Sequence, residues 1–155
     1  MLVILAELID AMLAQARQDH PLETCGVIAG PVGSNRPMRL ISMRNAAQSS
    51  EAFRFDSLEQ LRLWKEMEER GEEPLVLYHS HTSSDAYPSR DDIACAAEPH
   101  AHYVIVSTDA ACEQAVRSFR IFEGCVVEES IRTVDHYVPP HSIASPTPTP
   151  EKEMS

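Results

Sequence analysis

The chain has 155 residues, enough for one domain that buries its own core and too few for two ordinary ones. A hydrophobic fraction of 43% and a charged fraction of 24% fit a soluble globular protein. A formal charge of -11, from 13 basic and 24 acidic side chains, repels a phosphate backbone and argues against a nucleic-acid partner.

In chain order, Met1 to Leu5 is apolar but lacks a basic flank and is cut off by Glu7 and Asp10. It is therefore read as neither a signal nor a membrane span, and a cytoplasmic protein with no membrane partner is expected. Leu5, Leu8, Ile9, Met12, Leu13 and Ala16 recur at the spacing of one helical stripe, which should end before Pro21. Thr24 to Pro31 and Met38 to Met43, separated by the turn residues Gly33-Ser34-Asn35, read as a strand pair. Phe53 and Phe55 alternate with polar neighbours and predict a further strand. Ser57 with Gln60 has the form of a capping box, opening a helix that runs to about Arg70 and stops at Gly71.

Beyond Pro74, Leu75 to His81 reads as a buried strand, Thr82 to Pro88 as a loop, and Ser89 as the start of a helix through Ile93 and Ala97. Tyr103 to Ser107, Ala115 to Phe122 and Cys125 to Ile131 complete the sheet, the last two joined as a hairpin at Glu123-Gly124. Helices interleave with strands while strand pairs adjoin at both ends, which predicts a single α/β domain, α+β-like, with a mixed sheet flanked by helices. The domain is expected over residues 1–137. From Val138 the chain turns to Pro, Ser and Thr without apolar periodicity, so 138–155 reads as a disordered tail. Cys25, Cys95, Cys112 and Cys125 form no C-x-x-C pair and are read as reduced thiols, mostly buried.

In Tyr78-His79-Ser80-His81 the two imidazoles are two residues apart on a strand and point to the same face. Asp92 falls in the first turn of the next helix, where its carboxylate can add a third ligand if the loop folds back. Three N/O ligands with an open fourth position describe a catalytic zinc site. Each residue alone also has an ordinary reading: a buried histidine is commonly a hydrogen-bonded core residue, and Ser89 with Asp92 makes a capping box without any metal. The conjunction of H-x-H with S-x-x-D seven residues later is what points to metal, arising by chance on the order of once in several thousand such chains. His100-Ala101-His102 is a second H-x-H pair, but Ala110 stands where a serine would be, and His102 is expected to be a supporting or core residue. A proton acceptor for the water is also needed. Glu23, at the mouth of the first internal strand, is the best upstream candidate, with a solvated loop glutamate as the alternative.

Glu23, His79-x-His81 and Ser89-x-x-Asp92 together resemble the JAMM (MPN+) metallopeptidase motif. The resemblance spans about Met1 to Tyr137 and is closest to the small bacterial type, on Ala29-Gly30-Pro31, Ala86-Tyr87-Pro88-Ser89 and Ala101-His102-Tyr103-Val104. It implies an MPN/JAB-type domain and one zinc ion held by His79, His81 and Asp92. It further implies Glu23 as general acid/base and Ser89 as stabiliser of the transition state. The implied partner is a ubiquitin-like sulfur carrier protein ending in a Gly-Gly-cysteine adduct, from which cysteine is released. Another ubiquitin-like carrier or a peptide is the alternative substrate. Thr82 to Pro88 is expected to line the cysteine end of the substrate.

Overall fold

In a computed structural model describing residues 1–139, the chain forms eight strands and three helices. β1 (Leu2–Leu5) leads directly into α1 (Ala6–Asp19), followed by β2 (Cys25–Pro31), β3 (Arg39–Met43), α2 (Ser57–Glu69) and β4 (Glu72–His81). Then come α3 (Arg90–Cys95), β5 (His102–Ser107), β6 (Val116–Phe122), β7 (Cys125–Glu129) and β8 (Ile131–Val134). Six strands form one sheet in the order β3-β2-β4-β5-β6-β7, and β1 pairs with β8 in a separate parallel ribbon. Within the large sheet only β4 and β5 run parallel; the other neighbours are antiparallel, so the mixed α/β sheet expected from the sequence is the one observed. No helix among the described residues is long and apolar enough to cross a membrane.

Strand alternation divides the core between the two faces. Ile28, Val76, Tyr78, Val104 and Val106 point to one side, where Leu8, Met12 and Ala16 of α1 and Leu2 and Ile4 of β1 cover them. Cys25, Val27, Ala29 and Met43 point to the other, under Leu63 and Met67 of α2. Each such fully buried aliphatic side chain contributes roughly 1.5–3 kcal/mol of burial free energy. The odd-numbered residues of β4 therefore face α2 and α3, and His79 and His81 are among them. They sit at the carboxyl end of β4, where one neighbour is parallel and the other antiparallel. Crevices outside strand carboxyl ends at such a reversal are where open α/β sheets commonly bind ligands.

Several local expectations are corrected. Leu5, read as part of the first helical stripe, closes a strand instead: Leu2–Leu5 pairs with Ile131–Val134, a contact between distant segments that no local pattern reveals. Phe53 and Phe55 lie outside any strand, with only an Asn45–Phe55 bridge. The cap of α2 is Asp56, whose carboxylate accepts from the Glu59 amide, while Ser57 is already helical. Pro74 lies inside β4, where it does not reset the chain: the register jumps from Val76 opposite Ile28 to Pro74 opposite Ala29, and this bulge accommodates a residue lacking an N–H. The expected strand Cys125 to Ile131 is divided at Ser130, β7 staying in the large sheet and β8 leaving it. The cysteines are free, but only Cys25 is buried; Cys95 and Cys125 are exposed. The hairpin at Glu123-Gly124 forms as expected, with φ of 48° and 77° at the two central residues, the left-handed pair of a type I′ turn. The tail expected from Val138 lies, from residue 140 on, outside the described residues.

Candidate active site

His79 and His81 leave β4 on the same face, and α3 brings Asp92 against both. The Asp92 Oδ2 lies 3.1 Å from each Nε2, and the two Nε2 atoms are 3.2 Å apart. A tetrahedral ion roughly 2.0–2.1 Å from its ligands spaces them roughly 3.3 Å apart, so the triangle fits a small cation with one position left open. Among the described residues this is the one cluster of three or more potential ligands.

Proton bookkeeping supports the same reading. His81 Nδ1 is 2.9 Å from the Asp85 carbonyl, which can only accept, so this nitrogen carries the hydrogen. A neutral His81 then aims its Nε2 lone pair at the Asp92 carboxylate and at the His79 Nε2. Such an arrangement of acceptors requires a cation between them, a proton or a metal. With protons alone, burial lowers the His79 imidazole and keeps it neutral. Burial also works against a charged His81, but the hydrogen bond to Asp92 and the Asp85 carbonyl outweigh it and raise its pKa. Burial likewise opposes ionisation of Asp92, yet the bonds from both histidines and from the Ser89 amide hold its carboxyl well below the usual range.

The capping box and the cluster of His79, His81 and Asp92 are one arrangement. Ser89 Oγ accepts from the Asp92 amide at 3.1 Å, and Asp92 Oδ2 accepts from the Ser89 amide at 2.8 Å while facing the histidines. Sequence reasoning treats cap and ligand as alternatives; the fold uses the cap to fix the direction of the Asp92 carboxylate. The Ser89 O–H remains free to donate, and the residue is exposed.

Glu23 is brought to the same place by strand register. Cys25 is opposite His79, and the Ser80 amide donates to the Thr24 carbonyl, so two residues further along Glu23 comes level with His81. The Ser80 hydroxyl accepts from the Thr24 amide, Asn45 Nδ2 donates to the Glu23 carbonyl, and the Glu23 amide donates to Ser49. Glu23 is only 5% exposed, so the solvated-loop alternative does not hold. Burial pushes its pKa up to about 7, with His81 opposing and Asp92 adding to the shift.

Three contributors escape sequence reasoning. Asn45 fixes the Glu23 backbone, the Asp85 carbonyl sets the His81 tautomer, and Phe53 stacks on His79 with centroids 4.3 Å apart. Only Phe53 carries a sequence signal, an alternation that reads as strand. His102 is not part of the cluster. It starts β5, five residues before the level of His81, roughly 17 Å along the sheet.

A groove of about 350 Å³ runs from His79 and Asp92 between α2 and α3. Phe53, Phe55, Trp64 and Leu77 make it largely apolar. Trp64 Nε1 donates to Glu98 at 3.4 Å across its far side.

Comparison with known proteins follows this geometry. The family model for prokaryotic homologs of the JAB domain matches residues 5–122. The CysO-cysteine peptidase of Mycobacterium tuberculosis is 54% identical over 136 residues, covering 88% of this chain and 93% of that protein. The desampylase of Haloferax volcanii is 33% identical over 113 residues, covering 70% of this chain and 81% of that protein. Among solved structures, protein DSY2949 from Desulfitobacterium hafniense superposes with a TM-score of 0.74 at 32% identity, covering 88% of this chain and 94% of that one.

Proposed function

This chain belongs to the family of prokaryotic homologs of the JAB domain, and from that premise we propose that it is a zinc-dependent hydrolase of a sulfur-carrier–cysteine adduct. It would cleave the bond between the C-terminal glycine of a CysO-like, ubiquitin-like carrier and cysteine, acting in the cytoplasm in cysteine biosynthesis. The observation that carries the reading is the triangle of His79, His81 and Asp92, with its fixed tautomer, beside a buried Glu23. The substrate is supported by the 54% identity over most of both chains to the mycobacterial CysO-cysteine peptidase.

His79, His81 and Asp92 would hold one zinc ion per chain. When bound, zinc supplies a Lewis acid and a water acidic enough to ionise near neutral pH. Glu23 accepts the proton of the attacking water and returns it to the departing amine of cysteine. With a pKa of about 7 it is suited to both directions. The Ser89 hydroxyl donates to the carbonyl oxygen as negative charge develops there. The groove past Phe53 and Trp64 receives the extended carrier tail, leaving the side of Thr82 to Pro88 for the cysteine.

The test is to incubate the protein with zinc and a carrier whose C-terminal glycine bears cysteine, then weigh the carrier. Loss of one cysteine residue is the expected result, and an unchanged mass sinks the substrate assignment. The 33% identity to a desampylase supports a second reading, the same chemistry on another ubiquitin-like carrier or a peptide. Turnover of such a conjugate, with the cysteine adduct left intact, would favour it.

A further inference from the structure

Between β4 and α3 the chain crosses the sheet without regular structure, and Ser83, Ser84 and Asp85 are exposed. Yet this segment carries two orienting groups of the metal cluster: the Asp85 carbonyl that receives the His81 hydrogen, and Ser89 that fixes Asp92. Something outside the segment must hold it. Ser107 Oγ donates to the Ser84 carbonyl at 2.6 Å, and Ala86 is buried against Ile105, Phe119 and Ile121. Thr82 Oγ1 donates to the Ser50 carbonyl at 2.9 Å at the start of the segment, and Tyr87 supplies a further tether next to Pro88 and Ser89.

Tyr87 is 49% exposed, an unusual position for a fixed aromatic ring. Its ring meets Phe119 edge-on, centroids 5.3 Å apart at 79°, and the Arg117 guanidinium lies 5.6 Å from its centre. The guanidinium also lies 5.4 Å from the centre of the Phe119 ring. Its direction is set by two parallel bonds to Glu128, from Nε at 2.8 Å and from the terminal nitrogen at 2.7 Å. Register explains the cluster: Arg117 and Phe119 are two apart on β6, and Glu128 is opposite Phe119 on β7, so all three share a face. A fork held at both oxygens is directional in a way that a single ammonium is not.

We infer that Arg117 is a positioning residue for the metal cluster. Fixed by Glu128, it holds Tyr87 and thereby the segment whose Asp85 carbonyl and Ser89 aim His81 and Asp92. This rests on the reading of His79, His81 and Asp92 as metal ligands. Exposed ion pairs contribute little to global stability, so the effect belongs in the site rather than in the melting temperature. Groups that orient metal ligands typically change affinity 10–100-fold, and Arg117 acts one contact further out, so roughly a tenfold effect is expected.

The test is the zinc dissociation constant of the full chain, measured with zinc alone by competition against a chromophoric chelator. Arg117→Met and Tyr87→Leu should each weaken zinc roughly tenfold, and the double variant no more than either, because they break the same tether. Arg117→Lys, which keeps the charge and disturbs folding least, should also weaken it. Arg120→Met removes an arginine from the opposite face of the same strand and should leave zinc affinity unchanged. A folded Arg117→Met or Arg117→Lys chain with wild-type affinity overturns the inference. So does an equal loss in Arg120→Met, which would reduce the effect to net charge. If the wild-type chain binds no zinc, the metal reading itself falls, an outcome separate from the other two.

Discussion

The chain has two H-x-H pairs, and each brings a buried histidine against a carboxylate, yet they form opposite kinds of site. At the carboxyl end of β4, His81 gives its hydrogen to a backbone carbonyl, and its Nε2 meets the His79 Nε2 and the Asp92 Oδ2 within 3.2 Å. At the start of β5, His102 is fully buried between Glu129 Oε2 at 2.8 Å and Asn35 Oδ1 at 3.1 Å. Glu129 Oε2 there also accepts from Ser118 and faces Arg120. The ligand atoms of the first pair converge on one point, whereas each ring nitrogen of His102 has its own separate partner. What sets a candidate ligand histidine apart from a structural one is therefore the convergence of its nitrogen with other donor atoms, and burial alone does not distinguish them.

The sharpest way to break this comparison is to delete one histidine from each pair. His81→Ala should abolish stoichiometric zinc in metal analysis of the purified protein, and hydrolysis with it. His102→Ala should retain zinc and instead lose about 3 kcal/mol of stability in denaturant unfolding, because Glu129 would be left buried without its imidazole. Loss of zinc in both variants would erase the distinction.

Next in size is Glu23, the proposed proton carrier. Glu23→Gln should lower kcat by roughly 10²–10⁴-fold while zinc stoichiometry stays at the wild-type value. Retained turnover would leave Glu23 a buried residue without a part in the chemistry.

The two pairs also mark how far the sequence can be read. The mixed sheet and the meeting of His79, His81 and Asp92 are legible in strand period and capping-box spacing, which are local properties of the chain, whereas Glu23 and the part of Ser89 come from the family resemblance. Spacing alone could not separate the two H-x-H pairs with certainty, since Asn35 and Glu129, which fill the shell of His102, come from distant parts of the chain. Asn45, Asp85 and the pairing of β1 with β8 were illegible for the same reason: each acts through a backbone group or a register set by the assembled sheet. Phe53 alternates with polar neighbours and so reads as strand, whereas the fold stacks it on His79.

The smallest effect sharpens the contrast by asking what the open cluster costs the fold. Burial raises the Glu23 pKa from 4.5 to about 7, so the metal-free folded chain holds a proton there that the unfolded chain releases. A raised folded pKa means stability that is complete below about 4.5 and lost as pH rises through about 7. His79 and Asp92, whose pKa values are lowered, act in the opposite direction, and His81, whose pKa is raised, in the same one, but wild type and Glu23→Gln share these groups apart from the attraction between His81 and Glu23. In EDTA-treated protein, Glu23→Gln should therefore match wild type near pH 4.5 and become more stable as pH rises. The gap should level off above pH 7 at a value on the order of 3 kcal/mol. Denaturant unfolding across pH 4.5 to 8 measures it, and a gap independent of pH would mean that burial does not govern this carboxyl. Saturating zinc should then narrow the gap, because a nearby cation favours the ionised form of Glu23. A gap that zinc leaves unchanged would mean that Glu23 does not face the metal.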